Sequence, residues 1–320
     1  MIKLTGVSKS FGNITAVDKI SIEVSEGETL ALLGTSGCGK TTTLKMINRL
    51  LEPDSGSITV NGKSIEHENP EDLRRKIGYV MQNIGLFPHY TVSENIAVVP
   101  NLLKWDKIKT RKRTMELLKK FHLPDSCLNH FPHQLSGGQQ QRVSLARALV
   151  TDPAVVLMDE PFGALDNVTR SSIQAEFKML EEFKDKTIVI VTHDVQEAFE
   201  LADRICLMDH GKIVQVGTPQ ELLYHPVNDF AKKFLDGQRL ALEFRSAAIK
   251  DIWKFLPDNP AKDKDTIIPA SIDVWSAMEK LSALDNFHSF LHAESGQIKS
   301  ASYLDLSAAF HRFQQTAHHD

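Results

Sequence analysis

From residue 3 the stretch KLTGVSKSFGNITAVDKISIEV alternates apolar and polar positions, the period-two pattern of antiparallel strands. A second such stretch, SGSITVNGKSI, is interrupted by Asn61-Gly62, a two-residue hairpin signal. Between them TLALLG, residues 29–34, is apolar and reads as a buried strand. In KTTTLKMINRLL, residues Leu44, Met46, Ile47, Leu50 and Leu51 recur at near-helical spacing, so a glycine-bearing loop joins a strand to a helix. Residues from about 83 to 150 read as a helical insertion, VVLMD (155–159) and TIVIV (187–191) as strands, and LADRICLMDHGKIVQVGTPQELLYHP as strand, turn at Gly211, strand and short helix. This first unit closes near Asp236, and residues 237–264, ending in LPDNPAKDKD, look like a connector. Beyond it, Val274, Ala277, Met278, Leu281 and Leu284 give a helical face, FHSFLHA a strand, Glu294 to Gln297 a turn, and DLSAAFHRF a helix with Asp305 as its cap.

A chain of 320 residues holds one large α/β domain and a small appendage, and 42% apolar with 24% charged residues is ordinary for a globular protein. The net charge of -4 gives no global electrostatic reason to expect a nucleic-acid partner. Three scattered cysteines, Cys38, Cys127 and Cys206, suit a reducing compartment better than a disulfide framework. The N-terminus MIKLTGVSKSFG lacks the apolar core of a signal peptide, and the longest apolar runs are strand-sized, so no membrane span is expected.

The chemistry starts in the loop GTSGCGKTT. Gly34, Gly37 and Gly39 let backbone N–H groups curl around an anion, and the helix N-terminus adds partial positive charge. Lys40 reaches the outer phosphates and Thr41 meets a magnesium ion (Mg2+). With Thr35, Ser36, Cys38 and Thr42, these residues form a candidate cradle for a nucleoside triphosphate; Cys38 reads as a small filler of a tight turn. Strand 155–159 ends in Asp159, placed to orient water on magnesium, and Glu160, a candidate general base. LSGGQQQR, residues 135–142, opens another helix with a serine and two glycines, a second anion-binding end with no triphosphate of its own. One full cradle and one orphan cradle per chain predict a head-to-tail two-fold dimer in which each orphan closes over the partner's nucleotide.

Taken in order, these motifs resemble the nucleotide-binding subunits of ABC transporters over residues 1–236. The resemblance implies a P-loop ATPase cassette of the α/β class, with a mixed sheet core, an antiparallel β-subdomain and a helical signature subdomain over 83–150. It implies ATP and Mg2+ as ligands and assigns further roles. Gln82 matches the Q-loop glutamine that reaches magnesium and the attacking water, and His193 the switch histidine on the γ-phosphate. Asp166 matches the aspartate that crosses the dimer interface, and Ser136, Gly137, Gly138 and Gln139 the signature that meets the partner's ATP. Phe11 matches the aromatic on which adenine stacks, with Val17 the apolar side chain beside it. A lone aromatic in a strand also reads as packing. Only 96 positions separate Lys40 from Ser136, too few for a long coiled coil, and a single cassette without membrane helices points to an importer ATPase. Such a subunit works as a homodimer on the cytoplasmic face of the inner membrane, peripheral to a permease contacted near Ile84–Tyr90 and supplied by a solute-binding protein. TVSENIAVVPNLLKW with GTSGCGKTTTLKMINRL is similar to importers of glycine betaine, carnitine and choline. Importers of amino acids, polyamines or phosphonates are the alternative, and a soluble ABC ATPase acting on nucleic acid the more distant one. Residues 265–320 resemble one α+β cystathionine-β-synthase (CBS) motif, with Ser300 where the pattern prefers glycine and Asp305 at the ribose-binding position; regulation and dimerisation are both open to it.

Overall fold

The computed structural model describes residues 1–260, 267–282, 288–293 and 295–317. Leu284 and Glu294, read above as part of a helical face and a turn, lie outside the described residues. The chain divides into two compact units, Met1–Val216 and Gly217–Asp320.

The first unit opens with β1 (Ile2–Phe11) and β2 (Ile14–Val24), then β3 (Thr29–Gly34) and α1 (Lys40–Ile47). The hairpin β4 (Ser55–Val60) and β5 (Lys63–Ser64) follows, then α2 (Pro70–Lys76) and β6 (Ile77–Val80). A helical stretch holds α3 (Val92–Leu102), α4 (Lys107–Lys120) and α5 (Gly137–Leu149). The unit finishes with β7 (Val155–Asp159), α6 (Asn167–Met179), β8 (Thr187–Thr192), α7 (Val195–Leu201), β9 (Arg204–Asp209) and β10 (Lys212–Gly217). One sheet has the order β2-β1-β4-β5 and is antiparallel, with Val60 opposite Lys63 across a turn in which Asn61 (φ 53) and Gly62 (φ 73) are both left-handed, as the Asn-Gly pair predicts. The other has the order β10-β9-β3-β8-β7-β6, parallel from β9 to β6.

Alternation along the parallel strands explains the layering. Leu30, Leu32, Val155, Leu157, Val189 and Val191 face one core, shared with β1, β2 and α1. Val156, Met158, Ile188 and Ile190 face a second core with Ile96, Leu117, Phe121 and Val143 of the helical stretch. A sheet covered on both sides needs near-continuous apolar strands, which is why these segments read as unbroken runs rather than alternating ones. The register sets Gly34 beside Met208, Leu33 beside Thr192 and Asp159 beside Val191, so the C-terminal ends of β3, β7 and β8 come out along one edge.

Helix α1 stops at Ile47, short of Leu50 and Leu51. Arg49 turns left-handed (φ 51), Leu50 N–H returns to Lys45 O at 2.8 Å, and the Arg49 guanidinium donates to the carbonyls of Ile65 and Glu68. This closes the helix as a glycine would. Leu50 is left exposed.

The second unit holds α8 (Pro219–Tyr224), α9 (Asp229–Asp236), α10 (Arg239–Ser246), β11 (Ile267–Pro269), α11 (Val274–Ser282), β12 (His288–Leu291), β13 (Ile298–Ala301) and α12 (Tyr303–Ala317). Its boundary differs from the sequence reading at 236. Gln220 Nε2 donates to Ser246 O at 3.1 Å, Arg239 donates to Leu223 O, and buried Glu243 takes hydrogen bonds from Arg239 Nε (2.8 Å) and Gln314 Nε2, which ties α8, α10 and α12 together. The stretch read as a connector carries α10 and the core residues Ala247, Ile249, Ile252 and Leu256; its polar end masked the apolar residues before it. Strand β12 pairs parallel with β11 and antiparallel with β13. Asp305 is not the cap of α12 but the third residue after it. Its Oδ2 accepts from Ser302 N–H (2.9 Å) and Oγ (2.7 Å), and Asp305 N–H donates to Ser302 Oγ (3.2 Å), a reciprocal box.

Candidate active site

The glycines of the 34–39 loop differ in what they do. A Cβ at Gly34 would lie 2.1 Å from Met208 O, and one at Gly39 2.4 Å from Ala16 O, both with positive φ, so these two close the loop against the neighbouring backbone. Gly37 (φ +79) faces open space, where an incoming anion would meet backbone alone. Lys40 is buried at 6% exposure, and its Nζ donates to Gly34 O (2.9 Å) and Thr35 O (2.8 Å), with Cys38 Sγ at 3.7 Å. All three of these hydrogen-bond partners are neutral, so the buried ammonium, whose charge is felt by Asp159, is left to pair with an incoming anion. That is the fit of a phosphate site. Burial pushes the Cys38 thiol up against the pull of Lys40, which keeps it a protonated filler. Thr35 Oγ1 donates to Asp209 Oδ1 at 3.2 Å; Ser36 is exposed and Thr42 half-buried on α1.

Beside the cradle, Thr41 Oγ1 donates to Asp159 Oδ1 at 2.8 Å. Burial raises the Asp159 carboxyl above the usual carboxylate range, opposed by the Thr41 bond and Lys45, with Glu160 adding to the rise. Tyr79 is pushed up to about 12 by burial and then by Asp159. Among the described residues no group of three or more His, Cys, Asp or Glu could hold a metal ion alone. Two hard oxygens side by side fit magnesium, which takes few protein ligands and completes its shell from water and substrate phosphates.

Glu160 is a convergence point. It adopts φ 45, unusual for a non-glycine residue, held by its N–H to Val191 O at 2.9 Å. Gln82 Nε2 donates to Glu160 Oε2 at 2.8 Å, and His193 Nδ1 lies 3.2 Å from Glu160 Oε1. Residues 78 and 33 positions apart from Glu160 in the chain thus meet on one carboxylate. Val17 is fully buried, its Cγ2 within 3.1 Å of a Cβ built at Gly39, whereas Phe11 at the end of β1 is 49% exposed with Lys9 Nζ 5.7 Å from its ring.

The signature residues form a separate place. Ser136 caps α5, taking Gln139 N–H at 3.3 Å while Gln139 Oε1 takes Ser136 N–H at 3.0 Å. A Cβ at Gly138 would lie 2.7 Å from Thr169 Cγ2, so this glycine lets α5 and α6 approach; Gly137 meets nothing nearer than 3.9 Å. Ser136, Gly137, Leu165, Asp166 and Thr169 line a cavity of about 400 Å³ that includes none of the phosphate-loop residues. Asp166 caps α6 through Thr169 N–H at 3.0 Å.

Two residues, Arg170 and Glu197, escape a motif reading, and Arg142, the last of LSGGQQQR, has a packing role that the motif did not assign. Arg142 pairs with Glu176 through two bonds (2.7 and 3.1 Å), fastening α5 to α6. Arg170 on α6 reaches the loop after Glu160 and Asp194. Glu197 reads as the outer member of an Asp-x-x-Glu capping box, yet it is buried at 5% exposure, its Oε2 3.5 Å from Gln174 Nε2. Burial and then Asp194 push its carboxyl up to about 8, with Thr192 and Arg170 opposing.

A family model described as ABC transporter matches residues 17–163. The glycine betaine/carnitine/choline transport ATP-binding protein OpuCA of Bacillus subtilis (strain 168) is 54% identical over 241 residues, 75% of this chain and 63% of that one. The glycine betaine uptake system ATP-binding protein YehX of Escherichia coli (strain K12) is 49% identical over 246 residues, 77% of this chain and 80% of that one. The dimeric post-hydrolysis structure of the ATP-binding cassette MJ0796 bound to ADP and Pi superposes with a TM-score of 0.61 at 36% identity, covering 68% of this chain and 98% of that one. The matched region thus spans less than two thirds of OpuCA but most of YehX and nearly all of the MJ0796 cassette. With its phosphate cradle, paired acids and signature helix, the chain belongs to the ATP-binding proteins of the ABC transporter family.

Proposed function

We propose that the chain is the ATP-hydrolysing motor of an importer for quaternary-amine osmoprotectants, the class of glycine betaine, carnitine and choline. The hydrolytic part rests on one observation, the meeting of Gln82 and His193 on Glu160 beside the Thr41–Asp159 pair. The solute class rests on the likeness to OpuCA and YehX.

In this reading Lys40 and the N–H groups of residues 34–42 hold the triphosphate of ATP, Phe11 stacks on adenine, and Val17 backs the loop. Thr41, Asp159 and Gln82 would hold Mg2+, which supplies charge neutralisation on the phosphates. Glu160 takes the proton of the attacking water, oriented by Gln82, while His193 contacts the terminal phosphate. Ser136, Gly137, Gly138 and Gln139 meet the nucleotide of a second copy, and Asp166 faces that copy, so two ATP molecules are buried between two chains. Differential affinity of ATP for the closed pair drives closure, and hydrolysis removes it.

Exposed Phe87 and Tyr90, with ring centroids 5.3 Å apart and His89 4.8 Å from Tyr90, form an aromatic patch after Gln82 that supports permease docking near Ile84–Tyr90. Among the described residues no helix is long and apolar enough to cross a membrane, which fits a peripheral subunit on the cytoplasmic face beside a permease and a solute-binding protein. The cassette, read from the sequence as residues 1–236, does the chemistry with residues that all lie in the unit Met1–Val216, and the CBS-like tail regulates it or dimerises. Reconstitution with the permease and binding protein, followed by ATP-dependent uptake of labelled glycine betaine, carnitine and choline, tests the assignment. Uptake restricted to amino acids, polyamines or phosphonates refutes the solute class; no ATP hydrolysis refutes the motor.

A further inference from the structure

We infer that Arg170 is a positioning residue for hydrolysis, which clamps the loop carrying Glu160 to the turn carrying His193. The inference rests on the ATPase reading above and deepens it.

Three groups on two chain segments meet one guanidinium. Arg170 Nε donates to Phe162 O at 3.3 Å and its NH2 group to Leu165 O at 3.0 Å, which fixes the segment between Glu160 and Asp166. Its third nitrogen lies 3.5 Å from Asp194 Oδ2, one residue beyond His193. Asp194 is itself immobilised: Oδ1 accepts from Gln196 and Glu197 N–H (2.9 and 3.2 Å), and its own N–H donates to Thr192 Oγ1 (3.0 Å). Both segments leave adjacent parallel strands, β7 and β8, whose pairing ends at the bond from Glu160 N–H to Val191 O (2.9 Å), two residues short of His193. The clamp is where Glu160 and His193 acquire a fixed separation, 3.2 Å here.

The fork geometry is the reason for arginine. Lysine offers a point charge that can pair with Asp194 but cannot hold two diverging carbonyls in a plane as well. Phe162 is fully buried, so its backbone is a firm anchor, whereas Glu160 itself sits in strained left-handed backbone that needs outside support. Arg170 also lies four residues after Asp166, the cap of the same helix. A shift of Asp166 in the proposed dimer therefore passes to the Glu160–His193 pair through one turn of α6.

The test is steady-state ATP hydrolysis by the full chain as wild type, Arg170→Ala, Arg170→Lys, Asp194→Asn and the Arg170→Ala/Asp194→Asn double variant. Asp194→Asn keeps the helix cap, because asparagine caps as well as aspartate, and removes only the charge. We expect kcat to fall about 10²-fold in Arg170→Ala, the reach of a misplacement of about 1 Å, with KM for ATP within about threefold of wild type. Lysine should recover part of it, and the double variant should be no worse than Arg170→Ala, because both remove one clamp. An unchanged kcat, a loss expressed in KM alone, or a double variant equal to the product of the singles would each overturn the inference. Should Arg170→Ala not fold, Asp194→Asn decides alone, with unchanged kcat counting against. A wild type that does not hydrolyse ATP refutes the ATPase reading, and the inference with it.

Discussion

Replacing Glu197 by glutamine should stabilise the protein, increasingly so as pH rises. The carboxyl is buried, its Oε1 has no hydrogen-bond partner among the described residues, and burial followed by Asp194 lifts it from 4.5 to about 8. In the unfolded chain the same group ionises near 4.5. At pH 7 the unfolded state has therefore lost a proton that the folded state keeps, and stability falls with pH because the unfolded state binds fewer protons. Below about pH 4.5 both states are protonated and the cost is absent; it grows by about 1.4 kcal/mol per pH unit up to about 8 and then levels off. At pH 7 it is about 3 kcal/mol, a large share of a typical folding free energy. Glutamine keeps the size and the acceptor facing Gln174 without the titration, so it should remove the slope. Urea unfolding of wild type and Glu197→Gln at intervals between pH 5 and 8 measures it, provided both show one transition. The curves should converge at the acid end and separate by a few kcal/mol at pH 8. Parallel curves, or a variant less stable than wild type at pH 7, would show that Glu197 is ionised and held by Arg170, and the reasoning would fail.

Glu160→Gln should retain ATP binding, lower turnover by about 10²- to 10⁴-fold, the reach of a general base, and trap an ATP-bound dimer visible by size exclusion; near-normal hydrolysis removes Glu160 from that role. Gly39→Ala puts a methyl group into the space occupied by Ala16 O, at φ +103, and should abolish nucleotide binding measured by a fluorescent ATP analogue; retained affinity would mean the loop is not the cradle. Ser136→Arg and Lys40→Ala should each abolish ATPase, and mixing them should restore at most one composite site per heterodimer. A cross-link from the phosphate loop to the partner's signature separates a site that needs its twin from a wrong geometry. Removal of the tail is better made after Val216 than near 240, because a cut at 240 falls inside α10. Uptake against internal salt by full and shortened chains should show a lost salt response if the tail regulates.

What the sequence carried about this site, and what it hid, divides by whether a residue acts through backbone or through packing. The phosphate loop was legible because glycine spacing is a backbone property: Gly34 and Gly39 are where a Cβ would strike another chain segment. The buried strands were legible because both faces are covered, which forces unbroken apolar runs. The helical spacing of Leu50 and Leu51 overruns α1 because a left-handed turn is expected at glycine, and here Arg49 takes it with its guanidinium bonded two strands away in sequence, to Ile65 and Glu68. The sequence reads the 217–236 helices with the cassette, whereas the compact units divide at Val216, because composition reports linkers, not which unit a helix packs against. Arg170 and Glu197 were invisible for a related reason. An arginine on a polar helix and a glutamate three residues after an aspartate are ordinary surface and capping patterns, and only the third dimension turns them inward. The consequence is physical: residues that touch phosphate are constrained locally and leave a motif, whereas residues that set the distance between two motifs are constrained by both and leave none. In this chain that distance is the one between Glu160 and His193, held by a side chain from a helix that belongs to neither.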